Sequence, residues 1–332
     1  MALSPGIHAV LQGALRPTPD TLKLREEFSA GSFGSVCKGD YNEQVVSVKK
    51  IGGAFLHVLQ RRDKEDLITV AREEVIAFKK ELRNLKANTY PYIVEILGAF
   101  YDSLLHEPLL VAEDLQKDLA TFLAHRKGRL KHAEQVALSL QVVTGLRFLR
   151  LSTLGSDQLS FWHALNDRGV FISDRGVAKI FHIGIGLTWK MDPKTLGPEL
   201  TPCLPPEALH DVDYVFEEKA DVFAAGVLML EVATQRRPLA EHGTSPASVC
   251  VDRKPDLDLV MESHPLKAAI MSCLPDRPLD RPSVIELHRQ LSLLGEEGRH
   301  VSGRISVCPC THSPAHSRTR SQCLSLLDVT LS

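Results

Sequence analysis

The chain has 332 residues, of which 44% are hydrophobic, enough to bury one large core or a core divided between two lobes. Its formal net charge of -2 at pH 7 provides no broad basic surface for nucleic acid or for an anionic membrane. The longest apolar run, Phe223–Leu230, is much shorter than the roughly 20 residues that a membrane-spanning helix needs.

The N-terminus and the cysteines favour a cytoplasmic location. The opening MALSPGIHAV has no basic leader and no long apolar core, so it does not resemble a secretory signal. The cysteines are scattered and odd in number, which fits reduced thiols better than a disulfide framework. Cys308 and Cys310 do cluster with His312 and His316, but we interpret this Ser-, Arg- and Pro-rich segment as disordered rather than as a metal site.

The first third of the chain is predicted to contain strands and one long helix. Residues from Leu22 to about Lys50 are typical of strand, Gly-rich turn and strand. Between Asp63 and Asn88, apolar side chains recur at steps of three and four, which predicts a single amphipathic helix. Two short apolar runs, Ile93–Phe100 and Leu109–Ala112, predict further strands.

The remainder of the chain is predicted to be mainly helical. Helical patterns occur at Leu119–His125, Glu134–Leu151 and Ala220–Ala233. After about residue 297 no period is sustained, so we expect a mobile tail.

A Gly-rich turn is followed by a lysine on the next predicted strand. The segment SAGSFGSV spans Ser29–Val36 and includes Gly31 and Gly34, and the later VSVK ends at Lys49. Glycines let backbone N–H groups approach phosphates, whereas a small-residue turn between strands is the simpler interpretation. The order of later motifs decides between the two.

Those later motifs resemble the protein kinase superfamily. Glu81 resembles the helix C glutamate that pairs with the strand lysine, here Lys49. Leu110–Glu113 resembles the strand entering the hinge, with Ala112 as a small gatekeeper. Pro205–Glu207 resembles the Ala-Pro-Glu motif of this superfamily.

The resemblance covers about residues 22 to 296. Within the superfamily, these motifs most resemble those of the tyrosine-kinase-like group. It implies an α+β class, with a bilobal protein kinase-like fold of a β-rich N-lobe and a mainly α-helical C-lobe. The implied divisions are an N-terminal extension at 1–21, the N-lobe at 22–115, the C-lobe at 116–296 and a disordered tail at 297–332.

The resemblance also implies roles for individual residues. Glu207 and Arg281 are expected to form an ion pair that braces the activation segment against the C-lobe, a pairing suited to the arginine fork. Asp221 is expected to anchor, from beneath, the column of apolar side chains that couples the two lobes. The residues implied to bind a nucleotide are Gly31, Gly34, Val36, Lys49, Glu81 and Glu113.

Three positions that carry phosphotransfer in this family hold other residues. Ala164 stands in the place of the catalytic aspartate, and a methyl group can neither orient a hydroxyl nor accept its proton. Gly169 and His182 replace the asparagine and the aspartate that hold magnesium, for which imidazole is a poor ligand. The alternative is that Asp167 or Asp157 acts as a substitute base, which requires a local loop rearrangement.

The predicted adenine pocket also departs from the family pattern. Ser47 replaces the usual alanine, bulky Phe171 stands where a leucine-like residue forms the floor, and Ser29 replaces the first glycine. These changes tighten the pocket, while the small Ala112 opens space behind it. Lys49 and Glu81 are then either a phosphate-binding pair or a structural salt bridge, and the sequence leaves both open.

We therefore expect a pseudokinase that acts as a scaffold or allosteric regulator through a protein partner, such as an active kinase or a signalling complex. A weakly active ATP-dependent protein kinase and a non-catalytic nucleotide-binding switch are the alternatives. Any ATP is expected to bind without magnesium. The link between Lys49 and Glu81 is longer than usual, which predicts an N-terminally extended helix C. Its apolar stripe either folds back on the N-lobe or docks a partner.

Overall fold

The chain separates into a β-rich first part and a mainly helical second part. The structure is a computed structural model. It describes residues 9, 12–31, 34–51, 90–153, 165–181, 201–210, 217–236 and 260–301. Of two compact units, Met1–Gly298 and Arg299–Ser332, the first contains both of these parts.

A six-stranded sheet forms the N-lobe, in the order β1-β5-β6-β4-β3-β2. Its strands are β1 (Arg16–Pro17), β2 (Lys23–Gly31), β3 (Gly34–Tyr41), β4 (Gln44–Lys50), β5 (Ile96–Asp102) and β6 (Glu107–Ala112). Asn42 and Glu43 join β3 to β4 with positive φ values of 49° and 65°, the geometry of a tight two-residue hairpin turn. Val48 packs in a small cluster on one face, while Leu110 joins the main core on the other.

The strand β1 was not predicted from the sequence. Arg16 and Pro17 pair in parallel with Phe100 and Tyr101 of β5. Thr18 then donates its backbone N–H to the Tyr101 carbonyl at 3.2 Å. A two-residue strand containing proline has no alternating pattern to detect, yet it brings part of the predicted N-terminal extension onto the sheet.

The C-lobe is built around one buried helix. Its helices are α1 (Leu119–His125), α2 (His132–Thr153), α3 (Pro206–His210), α4 (Glu218–Thr234), α5 (Lys267–Cys273) and α6 (Val284–Val301), beside a small sheet of β7 (Lys117–Asp118), β8 (Val170–Ile172) and β9 (Ala178–Ile180). Every residue from Ala220 to Val232 in α4 is buried, as expected of a helix that is hydrophobic all round.

The α+β class and the bilobal arrangement are confirmed. The predicted helix at residues 63–88, the extended helix C and the cysteine and histidine cluster near the C-terminus all lie outside the described residues. Among the described helices, none combines the length and the apolar character needed to cross a membrane.

A histidine pair lies where the start of α2 meets the turn before α5. The rings of His132 and His264 are edge to face, with centroids 4.6 Å apart. His264 Nδ1 accepts the Leu266 N–H at 3.2 Å, so the neutral ring carries its proton on Nε2 and donates it to Gln135 Oε1 at 2.9 Å. Burial, and then the neighbouring His132, lowers the pKa of His264 below its ordinary value.

Acid is therefore expected to destabilise the protein through His264. As the pH falls through the ordinary value of 6.5, the unfolded chain takes up the proton before the folded chain does. The contribution of neutral His264 to the free energy of unfolding is complete above that pH and is lost progressively below it. Urea unfolding across roughly pH 5 to 8 measures the effect. His264→Gln should reduce the loss of unfolding free energy as the pH falls. Burial also lowers the pKa of His288, so a part of that loss should remain in the variant. An unchanged slope would assign the effect to other groups.

Candidate nucleotide cleft

The Gly-rich hairpin lies at the mouth of the cleft between the lobes. Gly31 and Gly34 are register partners at the ends of β2 and β3, and Gly34 has a φ of 106° that favours glycine. Val36 is buried and is the register partner of Lys49. The structure therefore brings together Gly31, Gly34, Val36 and Lys49, and Glu81 lies outside the described residues.

Lys49 directs its ammonium group into the protein. Its Nζ donates to the Phe181 carbonyl at 3.3 Å and lies 5.3 Å from the centroid of the Phe181 ring. Although the residue as a whole is half-buried, desolvation of the ammonium lowers the Lys49 pKa to about 8. The group is still mainly protonated at neutral pH, so it remains a buried cation held by a backbone oxygen.

The linker after β6 uses its polar groups internally. Both carboxylate oxygens of Glu113 accept from Lys179 Nζ at 2.6 Å, and one also accepts the Glu95 N–H at 2.8 Å. The Glu113 side chain thus ties the linker to β9. Further on, the Leu115 N–H donates to the hydroxyl oxygen of Ser47, a fully buried residue, at 2.9 Å.

Aromatic rings fill the space between the roof and the floor of the cleft. Phe28 on β2 meets Phe171 on β8 edge to face, with ring centroids 6.1 Å apart. Phe171 in turn meets Phe181 at 5.8 Å. Phe171 and Phe181 are each only 1% exposed, which places these two rings in the interior, whereas Phe28 is half-buried.

Two polar contacts close the mouth of the cleft. Ser29 donates its hydroxyl to Asp118 Oδ2 at 2.5 Å, and both residues are buried. Lys38 on β3 forms an ion pair with Asp114 at 2.5 Å and donates to the Leu115 carbonyl as well. Each contact joins the first hairpin to the segment that leads into the C-lobe.

ATP, which the family resemblance implies, does not fit this arrangement. A planar base stacked between two walls needs about 7 Å between them, since each carbon contact is at about 3.5 Å or more. The Phe28 and Phe171 rings are in direct contact instead. The donor at Leu115 is bonded to the Ser47 hydroxyl oxygen, and one N–H of the Lys49 ammonium is bonded to the Phe181 carbonyl.

The loop at the phosphotransfer positions is held by hydrogen bonds of its backbone N–H and carbonyl groups. Gly169 donates its N–H to Asn166 Oδ1 at 3.0 Å and accepts the Phe181 N–H through its carbonyl at 2.8 Å. The same Asn166 oxygen accepts the Arg168 N–H at 2.9 Å. Asp167 is only 3% exposed. Ala164, His182 and Asp157 lie outside the described residues.

The expected structural ion pair is present in the C-lobe. Arg281 donates through Nη1 and Nη2 to the two carboxylate oxygens of Glu207, each at 2.7 Å. It also donates to the backbone carbonyls of Pro275, Lys219 and Asp276. Asp221 is buried in the first turn of α4.

Sequence reasoning missed most of the closing contacts. Ser47 and Phe171 were identified as unusual, but neither the bond from Leu115 to Ser47 nor the contact between Phe28 and Phe171 was predicted. Phe181 was missed altogether. A bulky aromatic directly before the His182 position was the available signal.

Comparison with known proteins relates the chain to protein kinases. "Serine/threonine-protein kinase 12" of Arabidopsis thaliana is 27% identical over 303 residues, which cover 89% of this chain and 62% of that protein. "Dual specificity protein kinase shkC" of Dictyostelium discoideum is 24% identical over 279 residues, 81% of this chain and 50% of that protein. "Serine/threonine-protein kinase CTR1" of Arabidopsis thaliana is 25% identical over 285 residues, 81% of this chain and 31% of that protein.

The chain thus spans less than two thirds of the length of each of these relatives. Residues 22–291 match the family described as protein tyrosine and serine/threonine kinase. That match covers well over half of the 332 residues. The chain therefore belongs to the protein tyrosine and serine/threonine kinase family.

Proposed function

We propose that this family member is a pseudokinase: it transfers no phosphate and regulates a signalling partner by contact. The observation that carries the proposal is the state of Gly169, at the position where the family places an asparagine that holds magnesium. Glycine offers only backbone groups there, and both are engaged, the N–H by Asn166 and the carbonyl by the Phe181 N–H. This position therefore has no side-chain oxygen to offer, and magnesium is bound through oxygen ligands.

The sequence supports the same conclusion at two further positions. Ala164 supplies no base, and the imidazole of His182 is a poor ligand for magnesium. A substitute base at Asp167 is disfavoured because this residue is only 3% exposed, whereas a base must reach the hydroxyl of a protein substrate. Loss at several separate positions favours inactivity over a shifted mechanism.

The proposed work is that of a scaffold or allosteric regulator in the cytoplasm, bound to an active kinase or a signalling complex. The ordered motifs favour the tyrosine-kinase-like group. The N-lobe at 22–115 and the C-lobe at 116–296 would present the binding surfaces. Membership of the family implies ATP binding in general, and for this chain we propose that any such binding does not depend on magnesium, because Gly169 and His182 supply no carboxylate or amide oxygen.

Purified protein is expected to incorporate no radiolabelled phosphate into itself or into generic peptide substrates. The matched control is Lys49→Ala, checked for folding by circular dichroism, because it removes the buried ammonium of the cleft. Labelling of the wild type above the Lys49→Ala background would establish the alternative, a weakly active ATP-dependent kinase.

A restoration series sharpens the test. Ala164→Asp alone is expected to stay inactive because the magnesium ligands are still absent. Gly169→Asn is sterically possible, since a Cβ atom at Gly169 would come no closer than 3.6 Å to Asn166. Activity recovered by Ala164→Asp alone would show that magnesium is held by other groups.

A further inference from the structure

The Ser47 hydroxyl accepts a hydrogen bond from a backbone N–H group that lines the cleft, that of Leu115. The Leu115 N–H points at the Ser47 hydroxyl oxygen, 2.9 Å away, and Leu115 is only 1% exposed. Ser47 stands on β4 opposite Ala112 of β6, so the sheet itself fixes the position of the hydroxyl. A base entering the cleft is recognised by a few such backbone groups, and this one already has its acceptor.

Aromatic side chains occupy the space that the ring of a base would need. Phe28 and Phe171 are in edge-to-face contact at 6.1 Å, a geometry in which aromatic pairs attract each other. Phe181 continues the contact at 5.8 Å from Phe171. A base could enter only by separating the half-buried Phe28 ring from the buried Phe171 ring, which are packed against each other.

The cation of the cleft, the Lys49 ammonium, also has protein partners. The Lys49 ammonium donates to the Phe181 carbonyl oxygen and lies over the Phe181 ring. A phosphate would have to displace both contacts. The contacts of Ser29 with Asp118 and of Lys38 with Asp114 hold the first hairpin over this arrangement.

We infer that side chains and backbone of this chain take the places that a nucleotide fills in a kinase cleft. The Ser47 hydroxyl replaces the acceptor of the base, the contact of Phe28 with Phe171 replaces its ring, and the Phe181 carbonyl replaces a phosphate oxygen on Lys49. The inference rests on the proposed function and deepens it, because the lobes are held together without a nucleotide. The signalling surface is then present at all times, whatever the concentration of ATP.

Adenosine without magnesium is the appropriate probe, since it tests the base site alone. The wild-type chain of 332 residues is expected to show no saturable binding by calorimetry and no thermal shift. The double variant Ser47→Ala with Phe171→Leu frees the Leu115 donor and opens the ring space. It should bind adenosine at least about tenfold more tightly than the limit set for wild type. Ser139→Ala removes a buried hydroxyl that bonds within α2, and as the matched control it should not gain binding.

Amide hydrogen exchange at Leu115 gives a second measurement that does not need the double variant. Exchange should be slow in the wild type, faster in Ser47→Ala and unchanged in Ser139→Ala. Saturable adenosine binding by the wild type, or a folded double variant that gains none, would overturn the inference. So would Leu115 exchange that Ser47→Ala leaves unchanged. If the wild type binds adenosine yet transfers no phosphate, this inference is wrong and the proposed function stands. Phosphotransfer by the wild type would contradict both.

Discussion

Replacing Arg281 with leucine is expected to lower the free energy of unfolding by about 3–5 kcal/mol. The Arg281 side chain is fully buried and bonds both oxygens of Glu207 at 2.7 Å. Its guanidinium also lies 5.0 Å from the centroid of the Phe223 ring. Leucine removes all of these contacts, including the Arg281 charge beside the Glu207 carboxylate, whose side chain is only 17% exposed. Urea unfolding followed by circular dichroism measures the change.

The matched control is a second arginine fork at the surface. Arg25 donates to both carboxylate oxygens of Asp40, at 2.7 and 2.5 Å, but the two side chains are 47% and 32% exposed. Water and salt screen such a pair, so Arg25→Ala is expected to cost no more than about 1 kcal/mol. Equal losses for the two variants would show that burial does not decide the contribution of these forks.

Gly226→Ala is expected to destabilise the protein by about 1–3 kcal/mol, although alanine is normally the better helix former. A Cβ at Gly226 in α4 would lie 2.6 Å from Cys273 Cβ and 3.0 Å from Leu274 Cδ2. Cys273 Cβ is attached directly to the backbone of α5, so α4 and α5 would have to move apart. Thermal and urea unfolding both report the loss.

Gly295→Ala on α6 supplies the opposite case. A Cβ there would make an ordinary contact with Leu140 Cδ2 at 3.5 Å. Without a clash, the lower backbone entropy of alanine should stabilise the protein by about 0.5–1 kcal/mol. Destabilisation of similar size by both substitutions would mean that the close approach of α4 to α5 is not what requires glycine at residue 226.

The features that the sequence predicted well depend on local signals or on the order of motifs. The helix α1 begins and ends where it was predicted, and the Asp118 side chain caps it by accepting the Thr121 N–H at 2.7 Å. The pair of Glu207 and Arg281 followed from the position of two motifs in the chain. Both predictions needed only residue identities and their spacing.

The closure of the cleft could not be predicted in the same way. Ser47 and Leu115 are 68 residues apart, and the sequence does not specify that the hydroxyl reaches the linker N–H. Similarly, the bulk of Phe171 indicated a tight pocket, but its contacts with Phe28 and Phe181 depend on the side-chain conformations of three separate segments. Glu113 was assigned to a nucleotide from its place after the gatekeeper Ala112, and its ion pair with Lys179 was not predicted because no motif marks Lys179.

The pairing of β1 with β5 has a consequence for biosynthesis. Thr18 leaves the ribosome 83 residues before its partner Tyr101. The hairpins of β2, β3 and β4 are local and can form while the chain is still emerging. Completion of the sheet must wait for β5 and β6, and until then the edge of β4 is unpaired and open to association with other chains. Translation speed through this interval therefore sets how long the edge of β4 stays exposed.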